Sequence, residues 1–251
     1  MTGQPIVAKC HQIQFEDKVK FIEEFTKVMN TGLAQARVEH PHFCKILDFV
    51  LDVDMEQRTF FVYHILEDLE SDVGRVIEER KRDQRIPNED EVMTFLAQTT
   101  QALAYAHSKQ IAHRNLEPNN IFMDREGVYK IGDFASYFEK KGNSKASTTT
   151  GTKSYMSPQQ RLLISGEVES YDAFKSDVFS LGMTTLAFAT ATLVEKPWPL
   201  ASMSQRVEAT LQELRCSQPL KDLSKSMMTI EEADRPTMQQ VLDALVPPPL
   251  E

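Results

Sequence analysis

Glycine is scarce, with 9 in 251 residues, and no stretch of the chain reads G-x-G-x-x-G. A phosphate cradle built from closely spaced glycines, whose backbone N–H groups face the ligand, is therefore not expected in this sequence. Cysteine is also rare. Cys10, Cys44 and Cys216 are odd in number and widely spaced, which suits reduced thiols in a cytosolic protein better than a disulfide framework. Basic residues are outnumbered 28 to 37, for a net charge of -9, so no basic face on the scale that nucleic acid needs is expected. Long apolar runs are missing too. The best membrane candidate, residues 178–194, is interrupted by Ser180, Thr184, Thr185, Thr190 and Thr192 and is short of the roughly 20 residues a span requires; it reads as a buried core helix. No basic-then-apolar leader opens the chain. A cytoplasmic protein is expected, with neither nucleic acid nor membrane as a partner. His40, His42 and Cys44 lie close together, but no second ligand cluster completes a tetrahedral metal site.

What is present suffices for a substantial core, at 41% hydrophobic residues. Ile6 to Cys10 reads as a strand. From Phe15 to Met29 the apolar positions Phe15, Val19, Ile22, Phe25 and Val28/Met29 recur every three to four residues, predicting an amphipathic helix stopped by Asn30-Thr31-Gly32. Two β-rich runs, Phe43 to Val53 and Arg58 to Leu66, flank an acidic turn and predict a hairpin. Helices follow at Val73 to Lys81 and Asn88 to Lys109, the second opened by an Asn88/Glu91 capping box. Short strands are predicted at Ile121 to Met123 and Tyr129 to Ile131, then a polar loop over 136–156. Further helices are expected at Asp177 to Leu193, Met203 to Arg215, Lys221 to Thr229 and Met238 to Val246, with a proline tail after them. A β-rich half followed by a helical half, with polar motifs at the junction, predicts an α+β, two-lobed body with a cleft.

The motifs at that junction are His113-Arg114-Asn115-Leu116-Glu117-Pro118-Asn119-Asn120 and, a hairpin later, Ile131-Gly132-Asp133-Phe134-Ala135. They resemble the H-R-D-L-x-x-x-N catalytic loop and the D-F-G metal motif of protein kinases. Gly151-Thr152, Tyr155-Met156-Ser157-Pro158, the Ser176-Asp177 helix and Arg235-Pro236 follow in the order that family shows. The chain thus resembles the eukaryotic protein kinases over nearly its whole length, most closely the NIMA-related serine/threonine kinases. The resemblance implies a single domain over 1–251, with a truncated β-rich N-lobe at 1–66, a C-lobe at 67–246 and the tail at 247–251. It further implies that Lys9, in Ile6-Val7-Ala8-Lys9, meets nucleotide phosphates and a helix carboxylate, Glu23 or Glu24. Tyr63 and Ile65 would line the nucleotide pocket, Asn120 and Asp133 would hold Mg2+, and Asp177 would hold the His113-Arg114 turn. His113 would stack on Phe134, Arg114 would read a phosphate on Thr148, Thr149 or Thr150, and Arg235 would pair across to the activation segment.

The departures from the family carry the functional expectation. Asn115 stands where the catalytic Asp belongs, and an amide cannot take up the hydroxyl proton; losing a general base costs about 10²–10⁴ in rate. Glu117 stands where a phosphate-facing Lys is usual, replacing attraction by a repulsion on the order of 3 kcal/mol for unit charges roughly 5 Å apart at an effective dielectric of about 20. Ala135 replaces a glycine and Gln159 the Glu that pairs with Arg235. The expectation is a catalytically impaired kinase-fold scaffold or regulator that binds other proteins, an active kinase or a cytoskeletal client, and requires no cofactor. ATP and Mg2+ enter only through the resemblance. The alternative is a weak ATP-dependent serine/threonine kinase that relies on positioning and metal electrostatics. First strands lost from the sequence would change the nucleotide expectation and leave Asn115 and Glu117 untouched.

Overall fold

The computed structural model describes residues 5–134, 137–142 and 145–245. Ala135, Ser144 and the proline tail fall outside these residues. The N-terminal part is one antiparallel sheet, β1 (Ile6–Gln14), β2 (Ile46–Asp54) and β3 (Thr59–Glu67), in the order β1-β3-β2, with one helix, α1 (Lys18–Arg37), against one face. The predicted hairpin is present, and β1 runs four residues beyond the predicted Cys10.

α1 departs from expectation in two ways. It does not stop at Asn30-Thr31-Gly32 but continues to Arg37. Asp17 caps its start by accepting from Val19 and Lys20 N–H, and the Thr31 hydroxyl returns to the Lys27 carbonyl at 2.9 Å. Gly32 is there for contact. A Cβ at that position would lie 2.3 Å from the Phe49 ring and 3.0 Å from His64 Nε2, so only glycine lets the helix approach β2 and β3 this closely. The second departure concerns which face is covered. Phe21 packs on the sheet, its ring 4.6 Å from Phe60, with Phe25 stacked on it and Phe15, just before the helix, edge-on to it at 5.2 Å, whereas Val19 and Ile22 stay exposed at 63 and 50%.

The rest is mainly helical. A short β4 (Ser71–Asp72) leads into α2 (Val73–Arg82), and α3 (Glu89–Ser108) opens with the predicted reciprocal capping box between Asn88 and Glu91. After β5 (Ile111–Ala112) come β6 (Ile121–Met123) and β7 (Tyr129–Ile131), at the predicted residues, then β8 (Phe138–Glu139). α4 (Pro158–Ser165) was not among the predicted helices, although Ser157 and Gln160 form a capping box and Gly166 ends it at φ +77°. α5 begins at Ala173, four residues before the predicted start, because Asp172 accepts from Phe174 and Lys175 N–H; it ends at Ala189. α6 (Met203–Glu213), α7 (Gln218–Met227) and α8 (Met238–Leu245) complete the chain.

α5 is buried on every side, which explains its lack of an amphipathic stripe. Thr184 donates to the Ser180 carbonyl at 2.7 Å, the Ser180 hydroxyl donates to the Tyr155 carbonyl at 2.8 Å, and the Ser176 and Ser157 hydroxyls share a hydrogen bond. Phe188 of α5 stacks on Phe95 of α3 at 4.5 Å, with Tyr129 of β7 edge-on to both. Among the described residues no helix is long and apolar enough to cross a membrane.

Gly32→Ala is expected to lower stability. The gain in helix propensity of about 1 kcal/mol is outweighed by overpacking of about 1–3 kcal/mol, so the melting temperature should drop by a few degrees. An unchanged or raised melting temperature would mean that Gly32 is not needed for the close approach.

Candidate active site

The site is assembled around one carboxylate. Asp177, on the first turns of α5, is fully buried. Its two oxygens accept the His113 and Arg114 backbone N–H groups, each at 2.7 Å, and His107 Nε2 lies 2.9 Å from one of them. These bonds hold Arg114 at φ +67°, a left-handed conformation costly for a side-chain-bearing residue. The His113 ring then reaches the Gly132 carbonyl at 2.8 Å and stands edge-on to Phe134 at 4.9 Å, which in turn meets Phe43 at 5.1 Å. Burial holds the His113 pKa below its usual value, so the ring is neutral at pH 7, donating from Nε2 and accepting the Asn115 N–H at Nδ1, 3.3 Å away.

The turn presents Asn115, Glu117 and Asn120 on one side. Asn115 Oδ1 lies against Gly151, where a Cβ would come within 2.5 Å of it. Asn120 Nδ2 donates to the Asn115 carbonyl at 2.8 Å, tying the two ends of the loop together. Glu117 is half-buried and bonds Thr152; burial foremost, then the Asp133 charge, raises its pKa. Asp133, at φ +59°, accepts from Lys9 Nζ at 2.6 Å.

Lys9 therefore pairs with the residue expected to hold Mg2+, and not with Glu23 or Glu24, which are exposed. The reason lies in α1: the turn packed against the Lys9 face of the sheet carries Thr31 and Gly32, with no carboxylate. A second correction concerns Tyr63 and Ile65. In an antiparallel pair, directly opposed residues share a face, and β1 sets Lys9 against His64, Cys10 against Tyr63 and Ala8 against Ile65. Tyr63 and Ile65 thus lie on the sheet face opposite Lys9 and do not line a common site with it.

His64 and His11 share the Lys9 face instead. Their rings are 4.7 Å apart and neither Nε2 has a hydrogen-bond partner. The histidines in alternating strand positions were the available sequence signal, as was Thr152 beside Gly151 for the Glu117 contact; both were missed.

Arg114 donates from Nη1 to the Thr148 carbonyl at 3.0 Å and hydroxyl at 3.3 Å. Thr149 and Thr150 lie in the same segment, where the Tyr171 hydroxyl donates to the Thr148 carbonyl. Arg235 is almost wholly buried and does reach Gln159, through Nη2. Its other donors go to the Thr229, Ile230 and Lys175 carbonyls, and it lies over the Phe179 ring. Burial without a bonded carboxylate lowers its pKa to about 10.

As a place for nucleotide and metal, the site fits poorly. Asp133 is already neutralised by Lys9, and the Glu117 carboxylate adds negative charge beside it. Asn120 and Asp133 are the residues that would hold a metal ion.

This arrangement is that of a protein kinase. The protein kinase domain model matches residues 1–245, and the chain belongs to that family. It is 33% identical over 68% of its length to mouse serine/threonine-protein kinase Nek4, covering 21% of that protein. With mouse serine/threonine-protein kinase Nek2 the identity is 28% over 82% of the chain and 47% of the relative, and with mouse sperm motility kinase 2B it is 27% over 81% and 40%. The chain spans less than half the length of these relatives. Within the eukaryotic protein kinases, its relatives include the NIMA-related kinases.

Asp177→Ala is expected to cost about 3–5 kcal/mol, because it orphans two buried N–H groups and frees a strained turn; chemical denaturation measures it, and a cost below about 1 kcal/mol would contradict the role. A pH effect is also expected. Burial lowers the His64 pKa to about 4, against 6.5 when unfolded. The folded state therefore binds fewer protons than the unfolded state between these values, and stability is lost as pH falls from about 6.5 to about 4. His64→Gln should flatten the melting temperature over this range; an equally steep profile in the variant would assign the effect elsewhere.

Proposed function

We propose that this chain is a catalytically impaired, NIMA-related-type kinase that works by binding other proteins, an active kinase or a cytoskeletal client, in the cytoplasm. One observation carries this reading: the residue presented by the Asp177-held turn, where a kinase needs a carboxylate, is Asn115. An amide there can orient a hydroxyl but cannot accept its proton. The Lys9–Asp133 pair and the Glu117 carboxylate support the same reading, since an incoming triphosphate would have to break the first and approach the second.

A second reading, a weak ATP-dependent serine/threonine kinase, draws on the retained turn. Asn120 and Asp133 still flank the loop and Lys9 is beside them, and phosphoryl transfer depends largely on positioning and electrostatics.

A thermal-shift titration with ATP, with and without Mg2+, separates the two, because a ligand bound to the folded state raises its melting temperature. No shift is expected at millimolar nucleotide. A Mg2+-dependent shift abolished by Asp133→Ala, together with phosphate transfer to a serine/threonine substrate, would overturn the scaffold reading.

A further inference from the structure

One apolar row of α1 is left largely uncovered by the fold. Val19, Ile22 and Leu33 are 63, 50 and 48% exposed, Met29 is half-buried and Thr26 is exposed. Their positions, 19, 22, 26, 29 and 33, alternate steps of three and four, the 3.5-residue period of a helix that pairs with another helix. The row that meets the sheet, through Phe21 on Phe60 and Gly32 on Phe49 and His64, lies roughly a quarter-turn away at 3.6 residues per turn. A helix laid along the stripe would therefore run beside the sheet and not through it.

We propose that this stripe is the interface with a second copy of the same chain, formed by parallel pairing of the two α1 helices about a twofold axis. In heptad terms Val19, Thr26 and Leu33 occupy the a positions, and Ile22 and Met29 the d positions. Two features select a second copy in parallel. The first is charge. Lys18 is at a g position and Glu23 at the e position five residues on, so in a parallel pair each Lys18 faces the partner's Glu23, twice by symmetry. Both side chains are exposed, and among the described residues neither forms an ion pair within the chain. Antiparallel pairing would give Lys18 no acidic neighbour, and would set Glu23 nearest Asn30 or an Arg37 already held by Glu139.

The second feature is Thr26, the one polar residue in the seam. Parallel packing stacks a on a′, so the two Thr26 hydroxyls meet and fix the register. Antiparallel packing would bury each against an apolar d residue of the partner, Ile22 or Met29. A two-heptad seam is short for free helices, but α1 is already folded on its sheet, so the pairing does not carry the cost of helix formation. The quarter-turn offset also places the two sheets on opposite sides of the helix pair, where they do not collide. The net charge of -9 opposes self-association at long range, and the Lys18–Glu23 arrangement places attraction where the copies touch. The inference is independent of whether the chain transfers phosphate.

Sedimentation equilibrium of the full chain tests it. A reversible dimer is expected. Ile22→Lys should weaken it about 100-fold by placing two lysines in one apolar layer. Lys18→Glu and Glu23→Lys should each weaken it, and the double variant should regain the dimer because the charges are exchanged but remain complementary. These positions are exposed, so the melting temperature of each monomer should stay close to that of the parent. A chain that remains monomeric at all concentrations, as it would if the stripe serves a helix of a different protein, overturns the proposal. So does a dimer indifferent to Ile22→Lys, and so does a double variant without rescue.

Discussion

The Asp177 carboxylate is the constraint on which the site depends. It comes from a helix buried on all sides, and it is itself inaccessible to water. A charge so placed is tolerable only because donors surround it: two backbone N–H groups of the His113-Arg114 turn and the His107 ring. The exchange is mutual. The turn supplies donors to a buried anion, and the anion holds Arg114 in a conformation it would not adopt alone. Everything downstream inherits this geometry. His113 is aimed at the Gly132 carbonyl, Phe134 is packed between His113 and Phe43, and Asn120 closes the loop on Asn115. The frame of a kinase active site is thus maintained by interactions that need no substrate, nucleotide or metal.

The polar residues presented by that frame include an amide and two carboxylates, Asn115, Glu117 and Asp133. Asn115 has nearly the size of an aspartate and none of its basicity. Glu117 brings a second anion towards Asp133, and burial together with that anion raises its pKa. Lys9 offsets part of this by pairing with Asp133. Lys9 is paired with Asp133, and Glu117 is held by Thr152 with the Asp133 charge nearby. Arg235 tells a similar story in the C-terminal half. With Gln159 across from it, a buried guanidinium is satisfied by an amide, three carbonyl oxygens and the face of Phe179, and it retains a structural role without a bonded carboxylate.

Much of the fold was legible because local chemistry set it. The capping box at Asn88 and Glu91 and the strands at Ile121–Met123 and Tyr129–Ile131 are recognisable from neighbours within a few residues. What was misread depended on distant packing. Asp172 as the cap of α5 is a local signal, but an all-buried helix has no apolar stripe from which to count back to it. Lys9 could be placed on a strand from sequence. Its partner could not, because that depends on which turn of α1 meets the sheet. The kinase resemblance implies a pocket position for Tyr63 and Ile65, whereas pairing register assigns them to the far face.

α1 shows why periodicity alone could not settle this. Residues 21, 25, 28 and 32 and residues 19, 22, 26, 29 and 33 both follow alternating steps of four and three, so each row satisfies the same amphipathic pattern. Hydrophobicity favours neither, since the first row has two phenylalanines and the second has valine, isoleucine, methionine and leucine. The distinguishing residue is Gly32. Against a sheet whose facing side chains are Phe49 and His64, the helix can settle only where a side chain is missing. A glycine that reads as a stop signal in the linear sequence is, in three dimensions, the reason one row is buried and the other remains free. The covered row builds the lobe, and the uncovered row keeps a surface with the spacing of a helix interface.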